Sequence, residues 1–245
     1  MKIMNVIANR QSDPVGAKIP TLAFLGDSVT DGVFELKEGE ENRIDPIYDK
    51  EHVYHNDLCR LLHLLYPSVS VNVINAGING TSSVSGNERL EKDVLAYRPD
   101  LTVVCFGLND VHWGAEKVGQ YHGTLATIFQ RLKAAGSEVI YMTPNMMNTD
   151  ISTHINDSNI RSIAEMTCKF QNDGIFDAYI EAAKMVCRKY DVVVCDCYAK
   201  WKLLYENGVN ITELLANKIN HPSREMNWLF AISLLETMLQ EKNKD

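Results

Sequence analysis

The chain has 245 residues, 45% of them hydrophobic, and a formal net charge of −8. This length and apolar content suit one α/β domain with a sizeable core, and the acidic balance argues against nucleic acid as a partner, because phosphate binding needs clustered Lys and Arg. No apolar run approaches the ~18 residues that crossing a bilayer requires, which argues against a membrane partner.

Residues 1–19 read as an N-terminal extension, and residues 20–245 as a single domain with no repeat or linker-like tract. The apolar stretch of the extension is too short and broken for the core of a signal peptide, so a cytoplasmic location is the expectation. The cysteines at 59, 105, 168, 187, 195 and 197 form no Cys-x-x-Cys pair and read as reduced thiols. Five apolar runs, 21–25, 69–74, 101–106, 138–142 and 192–195, have the continuous hydrophobicity of parallel strands covered on both faces. Helical periodicity separates them. One apolar stripe joins Tyr121, Leu125, Ile128, Phe129 and Leu132, another Ile180, Ala183, Cys187 and Tyr190, and a third Met226, Phe230, Leu234 and Met238 with Leu229. The alternation predicts a five-stranded parallel sheet with helices on both faces. Two polar insertions interrupt it, at 35–50 and 145–174, each after a strand on the side where the chemically suggestive residues lie. Long loops in such places either shape substrate entry or are plain surface excursions.

Four short segments carry the chemistry. Ser28 in Gly26-Asp27-Ser28-Val29-Thr30 follows the first strand, where a serine opening a helical turn can expose its hydroxyl and aim its own N–H at an oxyanion. Gly77 in Asn75-Ala76-Gly77 follows the second strand, and a glycine lets backbone come close enough to a ligand to donate. Asn109 in Gly107-Leu108-Asn109-Asp110 follows the third, placing a side-chain amide within reach of the same oxygen. His221, stiffened by Pro222 and lying just before the last helix, is the natural base for a serine hydroxyl near neutral pH. Asp27 and Asp110 read as structural supports of their turns. No metal site is expected: His52 and His55 stand three apart with no third ligand nearby.

Together these blocks resemble the SGNH hydrolases, the GDSL esterase and lipase family, whose name spells the Ser, Gly, Asn and His matched here by Ser28, Gly77, Asn109 and His221. The resemblance implies a three-layer α/β/α sandwich with a flavodoxin-like sheet. It also implies cofactor-free, two-step hydrolysis through an acyl-serine, with Ser28 as nucleophile, His221 as base, and Ser28, Gly77 and Asn109 forming the oxyanion hole. One position departs from the pattern: the family usually carries Asp three residues before the His, and here that residue is Lys218. A backbone carbonyl, the side chain of Asn217 or Asn220, or a carboxylate from elsewhere, Asp196 first, could orient the imidazole instead. A neutral acceptor is the favoured reading. The expected activity is hydrolysis of small acyl esters, acetyl foremost, with carbohydrate esters the favoured substrates, for which the polar residues Asn79, Thr81, Ser82, Ser83, His112 and Trp113 near the blocks are suited. The competing reading is a catalytically weak or silent ligand-binding protein, which Lys218 alone supports. A flavin at the sheet's switch point is disfavoured, because Asp27 and Asp31 would repel its phosphate and neither a Gly-x-Gly-x-x-Gly nor a Walker pattern occurs.

Overall fold

Strand β1 (Thr21–Gly26) is buried along its whole length, as a run of Leu, Ala and Phe with no polar alternation requires of a central strand. The structure, a computed structural model, describes residues 1–240, apart from the side chain of Asn42. Residues 241–245, the end of the expected domain, lie outside the described residues. In chain order, α1 (Lys2–Ser12) precedes β1, and α2 (Ser28–Asp31) follows it. The hairpin β2 (Val33–Glu38) and β3 (Ile44–Tyr48) comes next, then α3 (Tyr54–Leu65), β4 (Asn72–Gly77) and α4 (Ser83–Asp93). After these run β5 (Leu101–Cys105), α5 (Val118–Ala134), β6 (Glu138–Met142), α6 (Ser158–Asn172) and α7 (Ile175–Tyr190). The chain closes with β7 (Val193–Cys195), α8 (Cys197–Glu206) and α9 (Arg224–Leu239).

The main sheet is parallel, in the order β4-β1-β5-β6-β7. The chain steps from β1 to β4 in one direction and then returns past β1 to β5. Right-handed crossovers therefore put α3 on one face and α4, α5 and α7 on the other. The packing agrees: α3 lies on α9, while α4, α5 and α7 pack in succession. The three expected apolar stripes are the inward faces of α5, α7 and α9. Within the N-terminal stretch, α1 buries Ile3 and Ile7 in the same core. Among the described residues no helix is long and apolar enough to cross a membrane.

One strand differs from the sequence reading. The run 69–74 predicts a strand that the structure begins at Asn72 and ends at Gly77. Val69 closes a turn onto the Tyr66 carbonyl, and the ladder starts only where the Asn72 N–H meets the Pro20 carbonyl. β4 is an edge strand whose residues are largely exposed, so Asn72 and Asn75 are tolerated in it and hydrophobicity does not mark its extent.

Both insertions have structure. The first is the β2–β3 hairpin, whose pairing jumps from Val33↔Tyr48 to Glu35↔Ile47 and so leaves Phe34 at a bulge. The second starts inside the protein, with Asn145, Met146, Met147 and Asn148 buried, and ends as α6.

Candidate active site

Parallel register sets the site. Gly26 lies level with Gly77 on one side and with Cys105 on the other. The loops leaving β4, β1 and β5 therefore emerge side by side at one edge of the sheet, the edge where open α/β sheets hold ligands. Asp27 caps α2 by accepting from the Val29 N–H at 3.1 Å. Ser28 is then the first residue of the helix, where its own N–H has no intrahelical acceptor.

His221 reaches this serine from 193 positions away, with Ser28 Oγ 2.8 Å from His221 Nε2. On the other side of the ring, Nδ1 lies 3.2 Å from the Phe34 carbonyl oxygen. A carbonyl can only accept, so Nδ1 carries the proton and donates it to Phe34. Nε2 is then the unprotonated nitrogen and accepts from the Ser28 hydroxyl. The bulge explains why this carbonyl is available to a side chain instead of the ladder.

Among the described residues, Asn217, Asn220 and Asp196, the side chains considered as orienters of the ring, make no hydrogen bond to it. Asn217 Oδ1 accepts from the backbone N–H groups of Ile219, Asn220 and His221 at 3.0, 2.9 and 3.0 Å, so it shapes the turn that carries the histidine. The Asn220 side chain accepts from Asn217 Nδ2. Asp196 caps α8 and pairs with Lys184 at 2.7 Å. Lys218 takes a left-handed conformation, φ 58°, and directs its ammonium to Glu213. The second insertion braces the same turn from beneath: Asn145 Nδ2 donates to the Asn220 carbonyl, and the Asn148 N–H to that of Ile219, each at 2.8 Å.

The Asn109 amide donates one proton to the Thr81 carbonyl at 2.9 Å, which leaves its second proton available and pins the loop after β4 against the loop after β5. Asp110 holds the same junction by accepting from the N–H and hydroxyl of Ser83 at the start of α4. Gly77, expected among the oxyanion donors, lies at the end of β4 against α2. Its N–H already donates to Asn75 Oδ1 at 2.9 Å. A β-carbon on it would stand 2.2 Å from the Asp31 nitrogen and 2.5 Å from the Thr30 carbonyl carbon, so Gly77 is there to let β4 close on the backbone of α2. Gly80, next to the Thr81 carbonyl that Asn109 holds, has φ +73° and open space around it, and its N–H has no partner among the described residues.

Burial dominates the electrostatics. It lowers His221 from the ordinary histidine value of 6.5 to about 4, against smaller opposing pulls from the Phe34 carbonyl and the Glu35 charge, so the ring is a neutral base at pH 7. It pushes Asp27 up to about 7 despite the Val29 N–H, with the nearby Asp110 adding to the rise. Asp110 rises to about 6 against its Ser83 bonds. The two Asp residues thus support their turns as buried carboxyls with weakened acidity.

Sequence reasoning missed two contributors. Arg89 of α4, 8% exposed, donates to the Ala76 carbonyl at 2.6 Å and the Gly26 carbonyl at 2.9 Å, tying together the ends of β4 and β1. Its setting in a polar helix gave no sign of burial. The Phe34 carbonyl has no sequence signature, because every residue carries one. His52 bonds Asp49 and His55 bonds Asn56, and among the described residues no group of three or more His, Cys, Asp or Glu could hold a metal ion.

A family model described as the GDSL-like Lipase/Acylhydrolase family matches residues 24–229. An acetylxylan esterase of Geobacillus stearothermophilus is 32% identical over 133 residues, which are 50% of this chain and 58% of that relative, so the match spans less than two thirds of its length. Among solved structures, Axe2, an acetylxylan esterase from the same organism, superposes with a TM-score of 0.66 at 23% identity over 91% of this chain and 95% of its own. Catalytic mutants of Axe2 at a serine, an aspartate and a histidine have also been solved. LAE5, an alpha/beta hydrolase enzyme from the metagenome of Lake Arreo, Spain, gives 0.65 at 20% identity over 89% of this chain and 94% of its own. At these identities the superpositions speak for the fold, while the family model covers most of the sequence and all four blocks. The chain belongs to the GDSL-like lipase/acylhydrolase family.

Proposed function

We propose that this protein is a serine esterase that removes small acyl groups, acetyl foremost, from carbohydrate esters. One observation carries the reading: a serine hydroxyl and a neutral, buried imidazole 2.8 Å apart, with the far ring nitrogen fixed by the Phe34 carbonyl. Ser28 Oγ attacks the ester carbonyl carbon while Nε2 takes its proton. Negative charge on the former carbonyl oxygen meets the Ser28 N–H, the second proton of Asn109 Nδ2 and a glycine N–H. For that last donor we infer Gly80 in place of Gly77, whose N–H is engaged by Asn75. Collapse expels the alcohol, which leaves with the proton from Nε2. Water, deprotonated by the same nitrogen, then releases the acid and restores Ser28. The carbohydrate assignment draws on the acetylxylan esterase relative and on the polar rim of Asn79, Thr81 and Ser82 beside the oxyanion donors.

The test compares wild type, Ser28→Ala and His221→Ala on p-nitrophenyl acetate and acetylated xylo-oligosaccharides, with unfolding curves alongside. Loss of at least about 10³-fold in kcat with near-native stability is expected for each, in line with removing a member of a nucleophile–base pair. Full turnover by Ser28→Ala would end the proposal. Rapid labelling of Ser28 by a fluorophosphonate separates hydrolysis from silent ligand binding, since the reaction needs an activated hydroxyl.

A further inference from the structure

The carbonyl that orients His221 lies on an inserted hairpin, and a hairpin at the edge of a domain needs something to fix its distance from the ring. Arg224, three residues after His221 at the start of α9, supplies that link. Its Nη1 and Nη2 fork onto Glu35 at 2.6 and 3.3 Å, and its Nε donates to Asp49 just beyond β3 at 2.7 Å. The guanidinium lies 4.5 Å from the centre of the Phe34 ring. One side chain therefore grips the residue that carries the orienting carbonyl, its neighbour in the strand, and the return of the hairpin. The same residue is joined through Pro222 and Ser223 to the histidine. The Glu35 charge also favours the charged form of the imidazole, and Arg224 holds that carboxylate by its fork. The groups of the clamp are about a third exposed or less, so solvent screens the pairing and its contribution to global stability is small. Its geometry is another matter, because a displacement of about 1 Å at a catalytic group can cost 10²-fold in rate.

We propose that Arg224 is a positioning residue for ester hydrolysis: through its fork to Glu35 and its bond to Asp49 it holds the Phe34 carbonyl against His221, doing by geometry what a carboxylate three residues before the histidine does in the usual family pattern. The inference rests on the assignment of Ser28 and His221 made above.

The experiment measures kcat and KM on p-nitrophenyl acetate for Arg224→Met, Arg224→Lys and Glu35→Gln. Ser28→Ala serves as the inactive reference, and Lys200→Met, which breaks an exposed ion pair from α8 to Glu236 near the far end of α9, controls for general loosening of that helix. Arg224→Met is expected to lose on the order of 10- to 10²-fold in kcat, with KM within about twofold and a small change in melting temperature. Arg224→Lys, which keeps the charge but not the fork, should fall between it and wild type. Proton NMR gives a readout that a purely structural role would not move: the Nδ1–H resonance of His221, downfield in wild type, should broaden or shift upfield in Arg224→Met. Glu35→Gln approaches the clamp from the other side and keeps the test open if Arg224→Met fails to fold. Unchanged kcat in Arg224→Met while Ser28→Ala is inactive would overturn the clamp alone. So would a loss of kcat that only follows melting, with the Nδ1–H resonance unmoved. Turnover near the wild-type rate in Ser28→Ala would overturn the assignment beneath it.

Discussion

Replacing Asn217 with Ala removes the acceptor for three backbone N–H groups, those of Ile219, Asn220 and His221. At about 1 kcal/mol net for each bond, and with the Ile219 and His221 groups buried where water does not readily replace the acceptor, the loss sums to about 3 kcal/mol. That energy is concentrated in one turn. The turn is otherwise held by the Ala216 N–H to the His221 carbonyl at 2.8 Å, by a bridge between Leu215 and Pro222, and by Asn145 and Asn148 on the Asn220 and Ile219 carbonyls, none of which replaces the acceptor for its inward N–H groups. The histidine should therefore lose its fixed place before the domain unfolds, and kcat should drop by about 10²-fold. Asn217→Asp separates the mechanism from a nonspecific effect. A carboxylate keeps the acceptor and strengthens it by charge, and sacrifices only the Nδ2 bond to Asn220. It should remain within about 1 kcal/mol of wild type and retain most activity. Urea unfolding midpoints and kcat on p-nitrophenyl acetate for the two variants decide the matter. If Asp is as damaging as Ala, acceptance by this side chain is not what holds the turn and the reasoning fails.

The remaining outcomes concern protons and space. Because burial holds His221 near 4, and only its neutral form can take the serine proton, kcat/KM should stay high down to about pH 5 and fall as pH drops through about 4. An acid limb at the ordinary value of 6.5 would contradict this, and Asp27→Asn, which removes a neighbouring group titrating near 7, should leave the limb in place. The same shift has a stability consequence of definite sign. Between about pH 4 and 6.5 the unfolded chain binds more protons at this residue than the folded one, so the His221 contribution is complete above 6.5 and is lost as pH falls, which stability measured across that window in wild type and His221→Gln would show. Gly77→Ala drives a methyl into the backbone of α2 and should destabilise by about 3 kcal/mol or more, whereas Gly80→Ala faces open space and should lose about 1 kcal/mol to its positive φ; calorimetry showing the reverse order would refute the assignment of their roles.

The parts legible in the sequence were those whose cause is local. Strands β1, β5 and β6 announce themselves because burial demands unbroken apolar runs, the half-buried β7 keeps its valines at the other edge, and Ser28, Asn109 and His221 stand in short motifs beside such runs or beside a periodic helix. The apolar run places β4 three residues early because in this exposed strand the ladder, not hydrophobicity, sets the ends. The sequence marks Gly77 as a place where backbone comes close to a ligand, and the closeness of the α2 backbone to it is visible only once register with β1 is known. A backbone carbonyl is among the orienters the sequence allows for His221, but which carbonyl is illegible, since it becomes special only through the bulge that frees it and the fold that brings it 187 residues along the sequence to the ring.

Lys218 is where the family pattern and this chain part, and restoring the aspartate is the obvious repair. The structure argues that it would repair nothing. Residue 218 has φ 58°, so its side chain leaves the turn toward Glu213, while Nδ1 of the ring faces Phe34 on the hairpin. An aspartate built on this backbone would exchange an ion pair for two adjacent carboxylates, and its oxygens would face the side of the turn where Lys218 now meets Glu213. Lys218→Asp is thus expected to leave kcat within about twofold of wild type, because a change away from the reacting atoms supplies no new transition-state contact. Lys218→Gly, which relieves the left-handed strain of a residue with a β-carbon, should be neutral or slightly stabilising, by about 1 kcal/mol at most. A rise of tenfold or more in kcat for Lys218→Asp would mean that a carboxylate does reach the imidazole from position 218, and the Phe34 carbonyl would then be a stand-in for it instead of the partner around which the hairpin is built.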